Sequence, residues 1–174
     1  MKYYVVRQDN QMHDIVHVVN GPNDVNFTDI CHEKAHRIQK RTLLMCETGK
    51  DVIFPDILTI PFLMFSPQLK RIVSIYQKDI PYKEIVLLEQ KQCFTAMYFL
   101  PVLPVLDCVT NPFRFHEGAS ASRKPILDYS KCKNLSIFKF KDINSIYTVM
   151  SLELLESILV RKCIGLSFTQ VEMC

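Results

Sequence analysis

The chain has no tryptophan and only four glycines in 174 residues. So few glycines leave neither a G-x-x-x-x-G-K loop nor a G-x-G-x-x-G turn, which excludes the two commonest backbone cradles for phosphate. A G-x-S-x-G nucleophile elbow is missing too. No apolar run approaches the roughly 20 residues that a membrane-crossing helix needs. Residues 1–7 lack the apolar length and small-residue cleavage site of a secretory signal. Seven cysteines, at 31, 46, 93, 108, 132, 163 and 174, contain no C-x-x-C pair. An odd count at wide spacing fits reduced, mostly buried thiols rather than a disulfide framework. These absences together predict a cytoplasmic protein with no membrane partner.

What is present is ordinary for a globular chain: 48% apolar residues, 22% charged residues and a net charge of +3. A charge of that size does not call for nucleic acid. It is unevenly placed, however. Residues 111–141 carry seven basic side chains (Arg114, Arg123, Lys124, Lys131, Lys133, Lys139, Lys141) against Glu117 and Asp128, or +5 locally. At this length a single domain is expected, burying roughly 70% of its unfolded surface without help from disulfides or metal.

The organising stretch runs from Phe54 to Leu88. Residues 54–65 form an apolar arm that Pro55 and Pro61 bar from regular helix but whose density demands burial. Ser66-Pro67 is a helix start, serine as N-cap and proline at the first helical position. Leu69, Ile72, Val73 and Tyr76 then recur on one helical face. Residues 82–88 are short, β-rich and nearly all apolar, which predicts a strand covered on both sides.

Upstream, residues 2–7 and 13–19 read as strands of an N-terminal hairpin. Thr28 or Asp29 then caps a short helix through Arg41, with Ile30, Ala35 and Ile38 apolar, and residues 43–46 form a strand. Downstream, residues 93–100 pair with 82–88 through the turn at 89–92. Pro101 and Pro104 make residues 101–108 an edge strand or extended arm. Residues 111–124 are small, polar and unpatterned, as a mobile loop would be.

Further strands are expected at 126–129, 135–141 and 146–150. In the second of these, Ile137, Lys139 and Lys141 alternate with Phe138 and Phe140, which predicts one face in water. Phe138 and Phe140 share a face and read as core rather than as a platform for stacking bases. A second capped helix begins at Ser151, with Leu152, Leu155, Ile158 and Leu159 as its stripe, and residues 166–172 close the chain as a strand. This helix–break–strand unit echoes the one at 66–88, and two such units could pack side by side, though the identity between them is too thin for a duplication. The fold class is therefore α+β: a mixed, mostly antiparallel sheet with two or three helices in a single domain, 1–174.

One catalytic-looking motif stands out. His32-Glu33-Lys34-Ala35-His36 is a literal H-E-x-x-H. In a zinc protease the two histidines lie one helical turn apart and bind the metal, while the glutamate polarises the bound water. Lys34, Arg37, Gln39, Lys40 and Arg41 make the segment polar, unlike the apolar helix that usually carries such ligands. A surface segment is therefore the simpler reading, with no metal and no other cofactor. A metallopeptidase using His32 and His36 is the alternative. Cys31-His32 is not a dyad, because adjacent helical side chains diverge by about 100°.

Several short motifs, taken in order, resemble a bacterial immunity-protein family of polymorphic toxin systems. It is the eleventh of the immunity series, has a myxobacterial type member and was formerly a domain of unknown function. The motifs are Phe54-Pro55-Asp56-Ile57, Phe65-Ser66-Pro67-Gln68-Leu69-Lys70, Tyr98-Phe99-Leu100-Pro101, Leu106-Asp107-Cys108, Ile137-Phe138-Lys139 and Leu155-Glu156-Ser157-Ile158-Leu159-Val160-Arg161-Lys162 with Ile164-Gly165-Leu166. They cover roughly residues 50–172, so that 51–174 is the immunity-like core and 1–50 the hairpin and short helical segment. The resemblance implies a cytoplasmic α+β protein, not an enzyme, that binds and neutralises a cognate toxin domain. It carries no catalytic residue with it.

For such a protein, residues 111–141 are the expected docking region, since loops on rigid scaffolds commonly carry recognition. Arg114, Arg123 and Lys124 would form the rim of the toxin-binding surface, with Phe113 or Phe115 nearer its centre.

Overall fold

Two serines set the helical frame. In this computed structural model, which describes residues 1–19, 30–49, 51–91, 93–110, 125–141 and 145–174, the Ser66 hydroxyl accepts from the Leu69 N–H at 3.1 Å. That cap opens α1 (Pro67–Tyr76), which buries Leu69, Ile72 and Val73 and leaves Tyr76 at its rim. Ser151 plays the same part for α3 (Leu152–Val160), accepting from the Leu154 N–H at 3.4 Å. Between them lies the four-residue α2 (Tyr129–Cys132), capped by Asp128. Helix α3 buries Leu154, Leu155 and Ile158, so its stripe is rotated from the expected one and Leu159 is exposed. Helices α1 and α3 pack against each other through Leu69, Ile72, Val73, Leu154 and Ile158 in one core.

The main strands fall into two sheets. The first contains β1 (Tyr3–Gln8), β8 (Val105–Leu106), β10 (Ile137–Lys141), β11 (Ile146–Ser151) and β12 (Leu166–Gln170), ordered β12-β1-β11-β10-β8. The second contains β2 (His17–Val18), β3 (Arg41–Glu47), β4 (Ile57–Leu58), β5 (Met64–Phe65), β6 (Tyr82–Glu89) and β7 (Phe94–Pro101), ordered β2-β3-β6-β7-β5-β4. A small parallel pair joins β9 (Ile126–Leu127) to β13 (Glu172–Met173). Most pairings are antiparallel; β3–β6 and β8–β10 are the parallel ones within the two sheets. The class is α+β, and the three helices and mixed sheets form one domain.

Several expectations hold. Strands β6 and β7 pair antiparallel from Tyr82↔Pro101 to Glu89↔Phe94. The proline-interrupted 101–108 segment supplies β8, an edge strand. Most of the arm is buried, with Ile57, Leu58, Phe62, Leu63, Met64 and Phe65 in core clusters, although Ile60 stands out in solvent.

Other expectations are corrected. The N-terminal hairpin does not form: β1 inserts between β11 and β12, and β2 pairs with β3 in the other sheet. The cause lies in the side chains of β1. Tyr3 and Val5 enter one core and Val6 another, so the strand has two apolar faces that a hairpin would leave wet. The helix expected through Arg41 is a 3-10 helix, His32–Arg37, and Thr28 and Asp29 lie outside the described residues. Ile38 is already extended at φ −77°, ψ 131° and is buried, which carries the chain into β3.

Strand β6 is covered fully on one face only, through Ile85, Leu87 and Glu89. Its other face meets α1 at one end, where the Lys70 ammonium sits 3.8 Å from the Phe99 ring centroid and 5.3 Å from that of Tyr82. The thiols are all free, but only Cys46, Cys108 and Cys132 are buried, fewer than expected.

The five-stranded sheet explains the remaining correction. Its β10 buries Ile137, Phe138, Lys139 and Phe140 in succession and exposes only Lys141. Phe138 and Phe140 face a core that includes Tyr3, Val5, Leu127 and Cys132, as their shared face predicted. Ile137 faces the helical core with α1 and α3. Both sides of the sheet are covered along Ile137–Phe140, so of the lysine face only Lys141 is exposed.

Candidate functional site

Two places draw together side chains that the sequence scatters. The first is centred on Asp56, which is 9% exposed. One carboxylate oxygen accepts from the Ser66 hydroxyl, and the other accepts from the Ile164 N–H at 2.8 Å. The backbone joins in: Asp56 N–H donates to the Ile164 carbonyl at 2.9 Å, and Ser66 N–H donates to the Asp56 carbonyl at 2.9 Å. One residue thus ties the N-terminus of α1 to the turn after α3. Nearby, the Gln68 amide donates to the Arg161 carbonyl at 2.8 Å, and the Tyr98 hydroxyl donates to the Pro55 carbonyl at 2.7 Å. Gly165, at φ +81°, lies so close to Pro55 that an added Cβ would clash with the proline Cβ. Burial, then the neighbouring Asp56 charge, pushes the Cys163 thiol up to about 11, so it stays protonated. Every polar group here is spent on holding segments together.

The second place is a pocket of about 640 Å³ on the helical side of the five-stranded sheet. A row of paired residues crosses four strands beneath it: Val105 beside Lys139, Lys139 beside Thr148, and Thr148 beside Val6. The arm residues Thr59, Pro61, Phe62 and Leu63 wall it. The arm is held near β1 because the Gln8 side-chain oxygen accepts from the Thr59 N–H at 3.1 Å. Arg7 and Tyr147 border the pocket as well, the guanidinium carbon 5.1 Å from the ring centroid.

Lys139 is the unusual member. It is 9% exposed, and its ammonium has no hydrogen-bond or ion-pair partner among the described residues. Burial alone pushes its pKa down to about 8. At neutral pH the group is still mostly cationic, by about ten to one. No carboxylate is among the described residues that line the pocket.

The residues singled out from sequence fare differently. Phe113, Arg114, Phe115, Arg123 and Lys124 lie outside the described residues. Of the other basic residues in that region, Lys131, Lys133 and Lys141 are exposed and Lys139 is buried, so the basic concentration is not a single wet face. The H-E-x-x-H segment forms the 3-10 helix. There, residues four apart differ by about 120° around the axis and about 8 Å along it, so the backbone does not present positions 32 and 36 on one face. Glu33 and His36 are exposed. Among the described residues, no group of three His, Cys, Asp or Glu side chains is arranged to hold a metal. No described helix is long and apolar enough to cross a membrane.

Sequence reasoning passed over Lys139 because strand alternation put it in water. The signal available was indirect: an apolar arm with no assigned partner, and a first strand apolar on both faces. A search of protein-family models and of curated proteins finds no match for the chain.

Proposed function

We propose that the chain is a cytoplasmic, non-enzymatic immunity protein that binds and neutralises the toxin domain of a bacterial polymorphic toxin system. One observation carries the reading. Motifs on which the resemblance rests, distant in sequence, meet around Asp56: Phe54-Pro55-Asp56-Ile57, Ser66-Pro67-Gln68 and Arg161 through Gly165. Their order and spacing therefore have a common physical cause, a joint between two helices and an arm. That is the behaviour of a scaffold signature, with recognition left to other segments. In this reading Phe113, Arg114, Phe115, Arg123 and Lys124 contribute to the toxin-binding surface.

A metallopeptidase is less favoured, since the 3-10 backbone of His32–Arg37 does not set positions 32 and 36 on one face. The test is co-expression with the C-terminal domain of a large secreted protein encoded next to this chain. The expected result is rescued growth and a stable one-to-one complex. A toxic neighbouring domain against which the chain neither protects nor binds would overturn the proposal.

A further inference from the structure

We propose that the pocket floored by Val105, Lys139, Thr148 and Val6 is a binding site for a small organic anion, a carboxylate or phosphate head on an apolar body. The inference stands apart from the toxin-binding reading and does not depend on it.

The head group is argued from Lys139. A buried ammonium is costly unless it is paired, and this one has no partner among the described residues. It sits on an interior strand between β8 and β11, and it lines the pocket. Thr148 lies directly beside it in the pairing register and adds a hydroxyl that can donate to the same anion. Among the described lining residues a bound anion meets a cation and no carboxylate.

The apolar body is argued from the walls. Phe62 and Leu63 from the arm, with Val6 and Val105 from the sheet, give the pocket an apolar side on which a hydrocarbon body can pack, beside polar Gln8, Thr59 and Thr148. A volume of about 640 Å³ fits a small molecule rather than a lone side chain, since ligand pockets span roughly 300–1,000 Å³. The low-dielectric setting that makes the unpaired ammonium costly is also what makes a charge-assisted hydrogen bond to it strong.

The test uses the full chain and the anionic dye 8-anilinonaphthalene-1-sulfonate as probe. Octanoate, octyl phosphate and neutral 1-octanol then compete for it. At least one of the two anions is expected to displace the dye from a single site at least tenfold better than octanol. Lys139→Met, which keeps the volume and removes the charge, should abolish that preference. The stronger competitor identifies the head group as carboxylate or phosphate. A second measurement needs no variant: acetylation of the Lys139 amine at pH 8, followed by mass spectrometry, should slow when the winning anion saturates the site. Equal displacement by octanol, an unchanged preference in the variant, or unprotected acetylation would each overturn the proposal.

Discussion

Replacing Asp56 by alanine tests the joint most directly. The substitution removes the acceptor for the Ser66 hydroxyl and for the Ile164 N–H, a hydrogen bond whose acceptor end is buried. Hydrogen bonds to a charged group contribute about 1.5–3 kcal/mol each, and two are lost. The Ser66 hydroxyl can turn to other partners and the backbone bonds between Asp56 and Ile164 remain, so the sum is discounted to about 3–4 kcal/mol. For a domain of this size that lowers Tm by about 10 °C. Asp56→Asn keeps the shape and one acceptor oxygen for Ile164, while its amide can donate to the serine oxygen. It should cost about 1–2 kcal/mol. The assay is urea unfolding at neutral pH for the wild type, both Asp56 variants, Ser66→Ala and the double variant Asp56→Ala/Ser66→Ala. The cycle should show a coupling of about 1 kcal/mol or more between positions 56 and 66. A midpoint for Asp56→Ala indistinguishable from wild type at unchanged slope would refute the account of the joint.

Three further predictions concern other sites. Lys139→Met should raise stability at pH 7, because it removes an unpaired buried charge. The folded pKa of about 8 lies below the ordinary lysine value of 10.5, so the unfolded chain binds the extra proton between those values. Wild-type stability relative to the variant therefore rises across pH 8 to 10.5, by about 3 kcal/mol, and a gap that stays constant in paired denaturation curves would contradict the burial. Gly165→Ala should destabilise by about 2–3 kcal/mol, through the positive φ and the contact with Pro55, as read by thermal unfolding. Against a thiol reagent at pH 8, Cys93 and Cys174 should react quickly, while Cys46, Cys108 and Cys132 should wait for unfolding. They are buried, and burial raises the pKa of each of the three.

The sequence by itself determined the local elements whose signals are covalently close. Ser66-Pro67 and Ser151 start helices because a hydroxyl reaches an N–H three residues on, whatever the rest of the chain does. The turn between β6 and β7 and the edge placement of β8 were legible for the same reason, since polar turn residues and prolines act where they stand. Even the apolar arm announced its burial, though not what it would bury against.

Partnership was decided only by tertiary structure. Strand β1 reads as half of a hairpin from its neighbours, but its two apolar faces are satisfied only between two cores. Alternation in β10 is compatible with one wet face or with two buried ones. The difference is set by the arm and by α1, which lie far from residue 139 in sequence, and by α3. For the same reason the role of Asp56 as a joint was not legible in sequence, because its partner Ile164 is 108 residues away. A periodic pattern records which side of a strand prefers to be dry. Whether the other side is left wet depends on what the rest of the chain brings over it.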